Sequence, residues 1–427
     1  MGHFVPHTDD EIESMLAFVG LSSLDELFAS VPEALRLASG SLQMDDGLSE
    51  PDTLAEMDRL ASRNRNGDLV CFAGAGAYDH EIPSAVTRLA FRSEFVTAYT
   101  PYQPEVSQGV LQALFEYQTM LARLSGVEVA NASLYDGASA CVEAVNLACA
   151  ATGRQDVFVS PSLNPQWREV LRTYARGTGH RIGDAVGEAP AAILVQQPNY
   201  LGVIEDLAAW RAEADRLGAL LLVAFDPVAA GLLKSPGSFG ADVVVGEGQP
   251  FGTPLSFGGP YLGLFACRSE HVRRLPGRLV GETVDTEGRR AYVTTLRTRE
   301  QDIRREKASS NVCTNQTLIA VCCAIQMAWL GSSGLRELAL RCARGTRYTR
   351  EALLQVDGVV PAVDGPVLRE FAVQAPVRGE AIVERMAEEG FLAGVPLEDG
   401  GLLIAVTERR TKAEIDRYVD TFEKVIK

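Results

Sequence analysis

The apolar run "LLLVAFDP" ends in an acid, Asp226, and the next run, "ADVVVGEG", opens into the Gly- and Pro-rich loop "GQPFGTPLSFGGP". Enzymes that hold pyridoxal phosphate use this order of parts. An acid at a strand end receives the pyridine nitrogen, and a lysine after a later strand forms the imine with the aldehyde. Here the place for that lysine reads Gly248-Gln249-Pro250. An amide cannot form an imine. The chain holds five lysines, Lys234, Lys307, Lys412, Lys424 and Lys427. Lys234 falls in the loop before "ADVVVG", and Lys307, in "RREKASSN", has no strand-then-loop setting ahead of it. Neither is placed to meet an aldehyde whose ring is held by Asp226. With no pyridinium to bind, Asp226 reads equally as a turn residue before Pro227.

Three further stretches have residue types that suit chemistry. "SLYDGASACVEAVNLA" puts Gly137, Ala138 and Ser139 at a helix start, where exposed backbone N–H groups make an anion site. Asp136 is also a good N-cap there. Two unit charges about 4 Å apart repel by about 4 kcal/mol at an effective dielectric of 20, so this aspartate disfavours a phosphate. "AGAGAYDHEIP" contains Gly74-x-Gly76, the opening of a dinucleotide fingerprint, but Asp79 stands where the third glycine is needed. Glu94, at the distance of a ribose-binding acid, sits in "FRSEF" rather than in a strand pattern, which argues against NAD. "FVTAYTPYQPEVSQG" carries Tyr99, Thr100, Tyr102 and Gln103 on a backbone stiffened by Pro101 and Pro104. Such a loop suits a binding surface, or is packed surface.

The elements around these residues alternate. "AAILVQQP", "ALLLVAFDP" and "ADVVVGEG" are continuous apolar runs of strand length, as in a parallel sheet covered on both faces. "DLAAWRAEADRLG" lies between two of them as a crossover helix, and "GVLQALFEYQTMLARLSG" is a helix with its glycine C-cap. "LVCFAGAG" and "DVFVSP" read as further short strands. The pattern predicts an α/β doubly wound sheet over 69–334. Thr8 with Glu11 is a capping box, "SSLDELFASVPEALR" repeats that design with Ser22 or Ser23 as cap, and a polar stretch follows at 44–68; residues 1–68 read as a helical arm. From 335 to 427, "LREFAVQAP", "GEAIVERMAEEGF", "GLLIAVT" and a helix capped by the box Thr411–Glu414 make a small α+β domain.

At 427 residues the chain exceeds the roughly 250–300 at which single cores stop growing, so two domains are expected. No apolar run comes near the roughly 18 residues that span a bilayer, and "MGHFVPHTDDEIE" has neither the basic start nor the apolar core of a signal peptide. The expected location is the cytoplasm. The net charge of −16 argues against nucleic acid and anionic membranes. Eight scattered cysteines with no C-x-x-C pair, and five histidines, give no metal site, and the cysteines read as small buried hydrophobes. Residues 268–307 hold eleven basic residues against seven acidic ones, which marks either a solvated face or a surface for an acidic partner.

Seven stretches together resemble one family: "HTDDEIESMLAFVGLSSLDELF", "GAGAYDHEIPSAV", "TAYTPYQPEVSQGVLQALFEYQTML", "NASLYDGASA", "VVVGEGQPFGTPLSFGGPYLGLFACR", "GRLVGETVDTEGRR" and "TREQDIRREKASSNVCTNQTL". They are similar to the P-protein of the glycine cleavage system, in the type built from two kinds of chain. The resemblance runs from about residue 5 to the C-terminus. It implies the aspartate-aminotransferase-like fold (PLP fold type I) and a heterotetramer with a homologous second chain that carries pyridoxal phosphate. It also implies transfer of an aminomethyl group from glycine to the lipoyl arm of an H-protein. In that second chain a His-Lys pair precedes the Phe and the Gly-rich run; Gly248-Gln249 with Phe251 stands in its place here. The resemblance therefore implies a chain with no covalent cofactor of its own, with Asp136, Asp226 and Gln249 as degenerate positions. Such a chain either contributes to the partner's site in trans, through Tyr99, Thr100, Tyr102 and Gln103, or serves as a scaffold or carrier-docking subunit. A free-standing transaminase using Lys307 is the remaining alternative.

Overall fold

Apolar runs without alternation need cover on both sides, and the three central strands obtain it. In the computed structural model, which describes residues 6–37, 47–65 and 67–427, the chain divides into two compact units, Met1–Gly67 and Asp68–Lys427. The larger unit is built on a seven-stranded sheet, numbered here along the chain: β1 (Val129–Ala130), β2 (Asp156–Val159), β3 (Arg181–Gly183), β4 (Ala192–Gln197), β5 (Leu220–Phe225), β6 (Val243–Glu247) and β7 (Gly263–Cys267). Their order is β1-β7-β6-β5-β4-β2-β3, and β7 alone runs antiparallel to its neighbours. Successive residues face opposite layers. Ile193, Val195, Leu221, Val223 and Val244 pack against helices Gln108–Ser125, Leu207–Leu217 and Thr317–Leu353. Leu194, Leu222, Ala224, Val243 and Val245 pack against Gly137–Thr152 and Pro165–Thr178. Gly126, left-handed at φ 77, ends the first of these helices as its sequence predicts.

A second, four-stranded antiparallel sheet (Val360–Pro361, Glu370–Gln374, Val395–Pro396, Leu402–Ala405) carries helices Gly379–Glu388 and Lys412–Ile426, the latter with the predicted Thr411–Glu414 capping box. Two differences from the sequence reading concern this region. Val70–Cys71, grouped by sequence with the large sheet, pairs instead with Phe391–Leu392, and Phe72 stacks on Tyr418 at 4.0 Å. The strand is short, and its partner lies at the other end of the chain, so no local pattern reveals it. The helix Thr317–Leu353 is long and apolar enough by composition to cross a membrane, although the sequence reading found no such run. Gly331 (φ 58, ψ −173) breaks it in two, and Ala320, Val321, Cys323 and Cys342 are buried in the core.

The smaller unit, by itself, is nearly coreless. Thr8 and Glu11 form the predicted capping box of helix Asp9–Val19, whose one buried residue is Leu16. Ser23 precedes two 3-10 turns, Leu24–Phe28 and Glu33–Leu35, without a side-chain cap, so the expected second capped helix does not form. Residues 44–46 of the polar stretch lie outside the described residues, but Glu50–Ala61 in it is an α-helix capped by Ser49. Phe18, Leu24, Phe28, Leu35 and Met57 are all exposed.

Candidate functional site

The carboxyl ends of β4, β5 and β6 meet at a cleft lined by Tyr78, Asn164, Trp167, Asp226, Glu247 and Arg369. Ligands in open α/β sheets bind at such strand ends. The space left here is about 30 Å³, against the roughly 150 Å³ of an engineered cavity that admits benzene. Side chains of the protein itself have filled it.

Each of the three degenerate positions is occupied. Gln249 is fully buried; its amide donates to the carbonyls of Tyr78 (3.1 Å) and Thr253 (2.7 Å), and its oxygen accepts from the Tyr78 N–H (3.0 Å). Paired both ways with one backbone residue, it acts as a substitute strand. Asp226 takes the turn role, one oxygen accepting from the Val228 N–H (2.9 Å), and its other oxygen pairs with Arg369 at 2.7 Å. Asp136 is the N-cap, accepting from the Ser139 N–H at 2.7 Å.

Sequence reasoning missed the residue that takes the anion seat, Glu247. Its carboxyl group accepts from Gly137 N–H (2.9 Å), Gln249 N–H (2.9 Å) and Leu262 N–H (3.0 Å). Burial pushes its pKa up to about 8, opposed by those three donors. A second missed cluster joins distant parts of the chain. Arg369 donates to His80 Nε2 (2.7 Å), whose Nδ1 lies 2.7 Å from Glu408. The Arg369 guanidinium carbon sits 3.5 Å from the Tyr78 ring centroid. The Tyr78 hydroxyl donates to Glu370 (2.8 Å), which also accepts from the Ala75 N–H (2.6 Å). Burial raises Glu370 to about 7, and the Ala75 and Tyr78 bonds hold it down. The available signal was the charged pair Arg369-Glu370 entering an apolar strand. Gly74 belongs to this cluster: a Cβ there would overlap the Glu370 carboxylate, which accounts for the glycine without a dinucleotide. Asp79 pairs with Arg409 and Arg410, and Glu94 with Arg92.

Pyridoxal phosphate, which the fold implies, does not fit this cleft. The imine position is an amide already hydrogen-bonded three times, the acid meant for the ring nitrogen is neutralised by Arg369, and Glu247 takes the Gly137 N–H. Lys234 and Lys307 are exposed, and neither lines the cleft. The transaminase alternative therefore lacks both its base and its pocket.

The tyrosine loop is the opposite kind of surface. Tyr99 is 81% exposed and Tyr102 50%, and with Phe95, Thr100, Val106 and Ser107 they line an open groove of about 710 Å³. Gln103 is exposed beside them. The loop is nonetheless anchored. Gln108 donates to the carbonyls of Pro104 and Tyr292 (both 2.8 Å) and accepts from the Tyr292 N–H (2.9 Å). This ties the loop to an antiparallel ribbon, Leu279–Val284 with Arg290–Thr295. The arginine-rich stretch that contains the ribbon is partly spent within the chain: Arg268, Arg289 and Arg297 pair with Asp242, Asp285 and Asp302, while Arg305 and Lys307 remain exposed.

Comparison with known proteins agrees with the motifs. The glycine cleavage system P-protein family matches residues 2–422. A relative from Desulforamulus reducens named "Probable glycine dehydrogenase (decarboxylating) subunit 1" is 46% identical, covering 97% of both chains. One of the same name from Moorella thermoacetica is 45% identical over 99% of both. A solved glycine decarboxylase (P-protein) of the glycine cleavage system, in inhibitor-bound form, superposes with a TM-score of 0.93 at 44% identity, over 99% of this chain and 100% of that one. Lactobacillus brevis glutamate decarboxylase, 14% identical over 94% of this chain and 97% of that one, shares the fold at a TM-score of 0.67. With a family match across nearly its whole length and relatives this close, the chain belongs to the glycine cleavage system P-protein family.

Proposed function

We propose that this chain is subunit 1 of a two-subunit glycine decarboxylase and works with a second, pyridoxal-phosphate-bearing chain in a heterotetramer of two chains of each kind. The assembly converts glycine and the lipoyl H-protein to CO2 and aminomethyl-dihydrolipoyl H-protein. Its location is the cytoplasm, where six buried thiols packed as small hydrophobes stay reduced. One observation carries the division of labour. A chain with the fold of a cofactor enzyme fills its own cofactor cleft with Gln249, Glu247 and the Asp226–Arg369 pair, so the chemistry belongs to a partner.

This chain's share is the tyrosine loop. Tyr99, Thr100, Tyr102 and Gln103 present hydroxyl and amide groups on a Pro-stiffened backbone, suited to lining the partner's site, excluding water and admitting the lipoyl arm. Pyridoxal phosphate, in the partner, supplies the electron sink for the carbanion left by decarboxylation. The exposed apolar side chains of the N-terminal unit suit an arm that wraps the partner. The test is reconstitution with the second subunit. Tyr99→Phe or Tyr102→Phe lowers glycine–bicarbonate exchange while cofactor content and assembly are unchanged. Wild-type exchange in both variants assigns the loop to interface packing and the chain to a scaffold or carrier-docking role.

A further inference from the structure

Arg278 is a buried cation with no ion-pair partner among the described residues. It is 5% exposed, and its guanidinium donates to Asn315 Oδ1 (3.1 Å), the Cys313 carbonyl (3.0 Å) and the Tyr102 hydroxyl (3.2 Å). All three acceptors are neutral, and Nε has no partner among the described residues. Burying a charge without a counter-ion is costly, so this arginine is a poor choice for stability alone.

Its setting is nevertheless tightly built. Gly277, left-handed at φ 68, turns the chain into Arg278, whose carbonyl accepts from the Ala132 N–H at 2.8 Å. Asn315 is fixed by the Thr317 hydroxyl (2.7 Å) and donates to the Ala132 carbonyl (3.3 Å). Two residues on, Val280 is held in both directions by the Gln118 amide (2.9 and 3.0 Å). The Arg278 guanidinium carbon lies 5.2 Å from the centroid of the Tyr102 ring and that of Arg297 5.4 Å from it, within the range of about 6 Å at which a ring attracts a cation.

The bond to Tyr102 has a fixed direction. Arginine has no acceptor, so the phenol oxygen accepts and its own proton is left for another group. Among the described residues none takes it. The Arg278 guanidinium on the phenol oxygen favours negative charge on the donor side of the free O–H. We infer that Arg278 is a positioning residue for the composite site: it fixes the Tyr102 ring and turns the hydroxyl into an outward donor for an anionic oxygen, carboxylate or phosphate, held by the partner subunit. This rests on the reading above that the loop faces the partner's site.

The experiment is a double-mutant cycle on the assembled two-subunit enzyme. Arg278→Met lowers kcat/KM for glycine by on the order of 100-fold, the effect of misplacing a contact by about 1 Å. Arg278→Lys recovers part of that loss by restoring the cation. Introduced into the Tyr102→Phe enzyme, Arg278→Met changes kcat/KM by less than about threefold, because the two act as one unit. A carboxylate target shows as a raised KM for glycine, and a phosphate target as faster loss of cofactor on prolonged dialysis of enzyme that is prepared with full cofactor content. Losses that multiply in the double variant overturn the inference, as does wild-type kcat/KM in Arg278→Met beside an impaired Tyr102→Phe. If Tyr102→Phe itself turns over like the wild type, the reading of the loop has failed. Hydrogen exchange of residues 97–107 in the assembled enzyme then decides on Arg278. Faster exchange in Arg278→Met upholds the positioning, and unchanged protection overturns it.

Discussion

The cleft at the strand ends and the groove around Tyr102 differ in how their polar groups are used. In the cleft, Gln249 makes three hydrogen bonds, Glu247 accepts three, and Arg369 divides its terminal nitrogens between Asp226 and His80. In the groove, Tyr99 has no hydrogen-bond partner among the described residues, and Tyr102 keeps its proton free. Pairing is what closes a site to ligands, since a buried donor already paired gains nothing from a newcomer; of these cleft groups, Arg369 Nε has no partner among the described residues. Unused valence on a braced, exposed backbone is what a partner can bind. The fold's cofactor cleft serves this chain as structure, and the contribution proposed for it lies on another surface.

Substitution separates the two regions most sharply. Asp226→Ala takes from the buried Arg369 guanidinium its ion-pair partner, and removing one partner of a buried ion pair costs about 3–5 kcal/mol. Urea unfolding of the chain should show that loss, and a variant as stable as the wild type would show that the pair does not hold the cleft shut. Tyr102→Phe should behave in the opposite way. Its stability falls by no more than about 1.5–3 kcal/mol, the worth of the one hydrogen bond its hydroxyl accepts from Arg278, while exchange by the assembled enzyme falls about 10²–10³-fold, the cost of one hydrogen bond made mainly in the transition state. A variant that loses stability and keeps its rate would reverse the assignment of the two regions.

Gln249 gives a smaller effect of the same kind. Gln249→Ala strands the Tyr78 and Thr253 backbone groups, at about 1–3 kcal/mol for a buried unsatisfied group. Gln249→Lys restores the imine-forming group and still yields no borohydride-reducible adduct with pyridoxal phosphate, because Glu247 and Arg369 remain. A stoichiometric adduct would mean that the missing lysine was the sole barrier. A third region, the N-terminal arm, is tested by truncation: deleting residues 1–40 weakens association with the second subunit by about tenfold or more, roughly 1.4 kcal/mol. Full-length affinity after truncation would leave its exposed Phe18, Leu24 and Phe28 without that role.

The sequence shows these regions unequally, for physical reasons. Continuous apolar runs and helix punctuation are local, so β4, β5 and β6, the Gly126 cap and the Thr411 box are legible in order. Gln249 is legible as an absence, because chemistry demands a lysine there. What replaced the lysine is not. His80 meets Arg369, and Ala75 and Tyr78 meet Glu370, across 289 to 295 residues, and no spacing rule connects them. Glu247 stands in plain view two residues before Gln249, yet its role depends on the helix start at Gly137 folding back onto β6. Helix Glu50–Ala61 lies in a stretch read as polar, yet Leu54, Met57 and Leu60 recur along it three residues apart; its further signals are Ser49 as cap and Pro51 in the first turn.

The last expected effect concerns Glu247, and its sign is fixed by linkage. In the folded chain burial holds this carboxyl group at about 8, against 4.5 for an ordinary glutamate. Between those values the folded chain binds more protons than the unfolded one, so the contribution of Glu247 is fully present below about pH 4.5 and is lost as pH rises through about 8. Glu143 and Glu370, both raised to about 7 by burial, add to the slope with the same sign. Glu247→Gln keeps a neutral acceptor for the Gly137, Gln249 and Leu262 N–H groups and removes the titration. Its stability curve between pH 5 and 8 should therefore be flatter than the wild type's, by at most about 1.4 kcal/mol per pH unit. The two curves should converge near pH 4.5, where the wild-type carboxyl is protonated as well. Parallel curves across that range would mean that Glu247 sits there as a carboxylate, held by the helix N-terminus as a phosphate would be. The cleft would then be closed by charge, and raising the pH would not loosen it.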